Sequence, residues 1–243
     1  GLSPAAIRYI DKQGYDNKAL TAAIINLAVK SALRIEELPK HLLQKTAYRL
    51  TRMAQPGTLS EDEKIVLDAV FKDGEVFEPS GTHYQALLSA STMQKALFDK
   101  TYKNVYFTFH AELHRIPIAV TVLTFIAGVV AAVLNLDAYI IRIGGFFCLY
   151  AASIAVFYYL LLQRTPEGRR LEDEIQGFKL FLSVTEKDRL NFFNPPERTP
   201  ELFEKFLPYA LALGVENKWA EQFTATFAAL DARGNHYQPM WYV

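Results

Sequence analysis

The sequence predicts a mainly α protein in which a two-helix transmembrane hairpin is inserted between helical segments, the first of them a winged-helix-like unit. Three observations carry this expectation. Residues 116–162 hold only Asp137 and Arg142 as formal charges. On either side, apolar residues recur at helical spacing behind strong helix starts. The first sixty residues read helix, helix, strand, loop, strand, helix, which is the order of a winged-helix unit.

The opening helix starts at Ser3 and Pro4, an N-cap followed by proline at the first helical position, and stops at Gly14. Asp16 or Asn17 caps the second, whose Leu20, Ala23, Ile24, Leu27 and Ala28 form an apolar stripe. A short strand follows at Leu33 and Ile35, and Tyr48-Arg49-Leu50-Thr51 alternates like a returning strand. Ser60-Glu61-Asp62-Glu63 makes a capping box ahead of Ile65, Val66, Leu67, Val70 and Phe71. A longer helix runs from about His83, with a register set by Leu87, Leu88, Ala96 and Leu97.

In the central stretch, residues 116–136 and 138–162 each reach the ~20 apolar residues that span a bilayer core as a helix. The turn at Asn135-Leu136-Asp137 makes them antiparallel. Lys100, Lys103 and Arg115 precede this stretch, Arg164, Arg169 and Arg170 follow it, and the turn has no lysine or arginine. The positive-inside rule then sets both flanks in the cytoplasm and the hairpin tip outside. Small residues at matched depth, Gly128 against Gly145 and Thr121 against Ala152, mark the expected packing seam. Arg142 lies one turn from the outer end, where it can snorkel or reach Asp137.

After the hairpin, Leu171, Ile175, Phe178 and Leu182 share a helix face over 167–190. Asn194 to Arg198 is a linker. Thr199 and Pro200 then start another helix, which 216–230 continues beyond Gly214. The end, 234–243, is polar and aromatic without a period. Charge is unevenly spread: residues 1–59 carry nine basic against four acidic, while 60–100 carry four against eight and 171–243 seven against eleven. The single cysteine, Cys148, excludes an intrachain disulfide and a cysteine-based zinc site. No signal-peptide pattern opens the sequence.

Leu2-Ser3-Pro4-Ala5, the run from Asp16 to Lys30, Glu167-Gly168-Arg169-Arg170 with Glu174 and Gly177-Phe178-Lys179, and Pro208 to Val215 with Trp219-Ala220 closely resemble the YciQ-like predicted membrane proteins of bacteria. The likeness covers nearly the whole chain, and 200–223 is its most specific part. It implies the cytoplasmic C-terminal half of a longer protein of the bacterial plasma (inner) membrane, in a family without an established activity. Ser31-Ala32 departs mildly from the family pattern, which commonly has a glycine and an aromatic there.

The expected organisation is a winged-helix-like unit over 1–58 and a helical segment over 59–110, with the option of a second such unit. The hairpin occupies 111–164, and a C-terminal segment over 165–243 packs on 59–110. Motifs for chemistry are few. His110 and His114, at i and i+4, share a helix face and are weak metal candidates, but Glu112 does not directly follow the first histidine as the zinc-protease motif requires. No P-loop, G-x-S-x-G or G-x-G-x-x-G is present. Glu61-Asp62-Glu63 and Glu172-Asp173-Glu174 read as charged helix starts favoured by the macrodipole, and the aromatics from Phe178 to Phe223 as core.

The basic residues Lys18, Lys30, Arg34, Arg49 and Arg52 are the candidate interaction surface. The sequence therefore points to a non-enzymatic membrane-anchored interaction, scaffold or signalling module. It implies no cofactor, and its partners are the lipid bilayer and cytoplasmic protein. A membrane-tethered winged-helix nucleic-acid-binding regulator is the alternative; Lys18 and Lys30 are few cations for a recognition helix, so nucleic acid is a poor partner. A metal-dependent enzyme at the membrane face, around His110 and His114, is the second alternative.

Overall fold

The computed structural model of the protein describes residues 1–38, 47–54, 56–79, 84–109, 120, 122–123, 125–130, 144–145, 148, 150–152, 162–184, 198–234 and 237–242. The elements run in the order α1 (Pro4–Lys12), α2 (Asn17–Val29), β1 (Leu33–Leu38), β2 (Ala47–Arg52), α3 (Glu61–Val70), β3 (Val76–Phe77) and α4 (Tyr84–Phe98). A π-helical turn over Asp99–Lys103 follows α4, then a single helical turn α5 (Asn104–Tyr106), β4 (Phe107–Phe109) and β5 (Leu162–Arg164). Helices α6 (Pro166–Ser183), α7 (Pro200–Leu213), α8 (Glu216–Glu221) and α9 (Thr224–Ala232) complete the chain. Two compact units result, one of residues 1–103 with 170–243 and one of 104–169.

In the larger unit α1 is the most deeply buried helix at its start. Pro4 through Ile10 are all buried, because α1 packs on both α2 and α7. Ser3 caps it by accepting from the Ala6 amide at 3.2 Å. The residue that ends it is Gln13, left-handed at φ 53°, rather than Gly14. Asp16 caps α2 by accepting from the Ala19 amide at 3.2 Å. Helix α2 also meets α3, and α3 packs on α4. The strands form an antiparallel sheet in the order β1-β2-β3, with Ile35 opposite Leu50 and Leu50 opposite Phe77. All three side chains are buried, which is the period-2 inward face the alternation implies.

Helix α7 begins as its sequence dictates, with Thr199 accepting from the Leu202 amide at 3.3 Å and Pro200 behind it. Gly214, at φ 69°, closes it in the left-handed conformation that costs glycine little. Its contacts are chiefly with α1 and α2. An aromatic cluster ties α6, α7 and α8 together: Phe178 and Phe181 meet Phe206, and Trp219 meets Phe206 at 5.9 Å and Phe223 at 4.8 Å, both edge to face.

In the smaller unit β4 and β5 pair antiparallel, Phe107 opposite Arg164. Thr165 caps α6 by accepting from the Gly168 amide at 3.0 Å, while its hydroxyl donates to the Val105 carbonyl at 2.7 Å.

Two expectations are corrected. The transmembrane hairpin over 111–164 is not supported: among the described residues no helix is long and apolar enough to cross a membrane. The residues of helices 116–136 and 138–162 lie mostly outside the described ones. The winged-helix assignment of 1–58 is not supported either. Helix α2, which would be the recognition helix, is enclosed by α1, α3 and α7, with Ala22, Ala23, Asn26, Leu27 and Ala28 buried. Only Asn17, Lys18 and Thr21, in its first two turns, are exposed, so most of its length is closed to a groove. Among the described residues the fold is mainly helical, with a small three-stranded sheet and the two-stranded β4-β5 pair.

Candidate functional site

Acidic residues at the start of α3 fold inward rather than decorating a surface. Glu63 is fully buried and Asp62 nearly so. Glu63 accepts from Lys30 Nζ at 2.9 and 2.7 Å, from the Ser60 amide at 2.7 Å and from the Asn26 side chain. Asp62 accepts from Ser3 Oγ at 2.8 Å, Ser60 Oγ at 2.7 Å and Gln94 Nε2 at 3.2 Å. Gln94 accepts in turn from the Tyr15 hydroxyl at 2.8 Å, and burial pushes the Tyr15 phenol up. Buried charges persist when paired and hydrogen-bonded. This network joins the chain's start to α2, α3 and α4, and each carboxylate spends its acceptors on that joint.

Beside the network opens a cleft of about 710 Å³, within the ~300–1,000 Å³ usual for ligand sites. One wall is the end of α2 and the start of β1, through Lys30, Leu33 and Arg34; the other is α7, through Glu201, Glu204, Lys205 and Tyr209. Met240 and Trp241 of the C-terminal stretch lie across it. Glu204 is held by the Trp241 indole N–H at 2.8 Å and by the Tyr237 hydroxyl. Burial pushes its carboxyl up, and the Trp241 hydrogen bond opposes that rise. Burial also pushes the Tyr209 phenol up.

The cations of the cleft differ in what they already hold. Lys30 is bound to Glu63, and Lys205 sits 5.5 Å over the Phe206 ring. Arg34 has a buried Nε that meets no hydrogen-bond partner among the described residues. Guanidinium presents a planar fork of donors that fits carboxylate or phosphate, so Arg34 is the group in this cleft most ready for an outside acceptor.

The family model for the predicted membrane protein (DUF2207) C-terminal domain matches residues 1–223. The chain belongs to that family. Neither curated proteins nor solved structures provide a match. DUF2207 membership makes this the C-terminal domain of a predicted membrane protein, in agreement with the resemblance carried by its sequence motifs.

Against this DUF2207 frame the candidate residues separate clearly. Lys18 pairs with Glu216 at 3.4 Å, Arg49 with Glu78 at 2.8 Å and Glu36 at 3.7 Å, and Arg52 with Asp68 at 3.2 Å. With Lys30 on Glu63, four of the five basic candidates are matched to acids of the chain itself. Gly145 and Ala152 are exposed, and a Cβ at Gly145 meets no described atom within 4 Å; Gly128 is half-buried. His110 and His114 lie outside the described residues, and no cluster of metal-ligating side chains occurs among the described ones.

Sequence reasoning missed Arg8, Glu204 and Trp241. Arg8 is buried, chelates Asp16 through Nε and Nη2, and donates through Nη1 to the Ala212 carbonyl at 2.9 Å. An arginine between the apolar residues Ile7 and Ile10 of the first helix was the available signal. For Glu204 and Trp241, 37 residues apart, the sequence carries none.

Proposed function

We propose that this chain is a non-enzymatic interaction module of a longer membrane protein, working at the cytoplasmic face, whose Arg34 cleft receives an acidic group of a protein partner. The observation that carries this reading is the unpartnered Arg34 Nε in a cleft of ligand size. A buried donor left unmet costs about 1–3 kcal/mol, a cost that an incoming carboxylate removes. The non-enzymatic part is supported by the carboxylates of Asp62 and Glu63, whose hydrogen bonds go to structural donors.

Residues 1–103 and 170–243 share one compact body, which supports keeping both ends on the same side of the membrane. Lys100, Lys103, Arg164, Arg169 and Arg170 stand at the borders of the 104–169 unit, and such basic borders favour the cytoplasmic leaflet. Val122, Leu123, Phe125, Ile126, Val129 and Val130 are exposed at 48–66%, an apolar surface of the kind that meets lipid or protein.

The test places a photo-crosslinking residue at Lys205 on the cleft rim, and at Lys95 on α4 as a distant control, in native membranes. The expected result is a discrete adduct from position 205 alone, lost on Arg34→Glu. Equal adducts from both positions, or an adduct indifferent to Arg34→Glu, overturn the reading.

A further inference from the structure

A sheet edge is a row of unpaired main-chain donors and acceptors, open to any extended segment. In the β1-β2-β3 sheet, β1 is such an edge, and the chain's own segment 237–242 lies along it. The Ile35 amide donates to the Trp241 carbonyl at 2.8 Å, and Ile35 bridges Tyr242 in parallel. Side chains reinforce the contact in a directional way. The Trp241 indole N–H donates to Glu204, and the Tyr242 hydroxyl donates to Glu37 at 2.7 Å. That hydrogen bond to Glu37 pushes the Tyr242 phenol up to about 12.

One ring contact backs these bonds, Tyr237 stacked on Phe227 at 5.2 Å. Met240 is 89% exposed, and Trp241 and Tyr242 are half-buried. The other tryptophan, Trp219, is 2% exposed in the aromatic cluster. The segment is therefore held by specific polar contacts on a strand edge and one ring stack, without the burial that locks a core element.

We infer that the edge of β1, flanked by Glu37 and Glu204, is a recognition site for an extended segment of a partner protein with adjacent aromatic residues. The 237–242 tail fills it in cis as an exchangeable ligand. The ligand chemistry is read from the occupant: a main-chain carbonyl for the Ile35 amide, and an indole N–H and a phenol O–H for the two carboxylates. Strand addition of this kind takes affinity from the main chain and specificity from alternate side chains. The inference deepens the interaction reading but rests on other atoms than Arg34, so either can fail alone.

The probe is a fluorescent peptide with the sequence of residues 238–243, added to the full chain. Tethering gives the tail a millimolar effective concentration, so the wild type binds the probe weakly. The Trp241→Ala/Tyr242→Ala variant, with its tail released, binds at least ~10-fold more tightly, and adding Glu204→Gln and Glu37→Gln reverses that gain. A second measurement needs no variant: saturating unlabelled peptide raises hydrogen exchange in 237–242 of the wild type while 33–38 stays protected. Equal binding by wild type and variant, exchange unchanged at saturation, or tail exchange only between two copies as a dimer overturns the proposal.

Discussion

Replacing Glu63 by alanine removes the acceptor shared by Lys30, Asn26 and the Ser60 amide. The three donors do not suffer equally. The Lys30 side chain is 32% exposed, so its ammonium can turn to water. Asn26 is 4% exposed, and its amide is stranded at a cost of about 1–3 kcal/mol. Loss of the bond to the Ser60 amide weakens the start of α3 by about 0.5–2 kcal/mol. Glu63→Ala is therefore expected to cost about 3–4 kcal/mol, a Tm drop of roughly 10 °C for a body of this size. Lys30→Met alone leaves Glu63, with no exposed surface, facing only the amides. Because the pair acts as a unit, the double variant is expected to fall short of additivity by about 1–2 kcal/mol. Urea unfolding of the full chain, followed by far-UV circular dichroism, measures all three. A loss under about 1 kcal/mol for Glu63→Ala, or additivity within ~0.5 kcal/mol, refutes the network as a structural joint.

Trp219→Ala, which empties the centre of the aromatic cluster, is expected to cost about 3–5 kcal/mol, whereas Met240→Ala stays within ~0.5 kcal/mol; thermal melts of the two variants compare them. Hydrogen bonds from Arg8 hold the Asp16 carboxyl below its usual 3.8. Its folded value lies below its unfolded one, so the stability it adds is present above about pH 4 and lost as pH falls through the folded value. Asp16→Asn, which keeps the cap, should flatten that acid limb; Glu204, pushed the other way, loses its contribution as pH rises through its raised value. An added methyl at Gly168 would collide with the Tyr106 carbonyl oxygen, so Gly168→Ala must shift backbone at about 1–3 kcal/mol, read as faster hydrogen exchange over 104–109. A randomised DNA duplex should be retained only weakly and released near physiological salt, since Lys18 and Lys30 already hold Glu216 and Glu63; a selected site that survives at that salt in a gel shift contradicts this.

Local signals were legible. Ser3, Asp16 and Thr199 cap where their side chains predict, and β1 and β2 pair at the alternating residues. Capping and alternation are written within a few residues, so sequence holds them. The register of α4 was not: Ala90, Gln94 and Phe98 face inward while Leu88 is 49% exposed, because a buried glutamine on Asp62 outweighs a leucine stripe. Apolar content alone suggested two spanning helices over 116–162, yet no described helix there has the length. The candidate site was half legible. Arg34 was named among five cations, but separating it from the other four required their acids, Glu63, Glu216, Glu78 and Asp68, which lie 16 to 198 residues away.

The hydrogen bond from Arg8 to Ala212 spans 204 residues, and with it α1 waits for α7. At ribosomal speeds of ~5–20 residues per second, that wait lasts about 10–40 s. For that interval the nascent α1 and α2 expose the faces that α7 will later cover, a natural binding window for a holding chaperone. The same interleaving has a post-synthetic counterpart. A protease cut inside 104–169 severs the chain but not the larger body, so the two fragments should co-purify and melt as one.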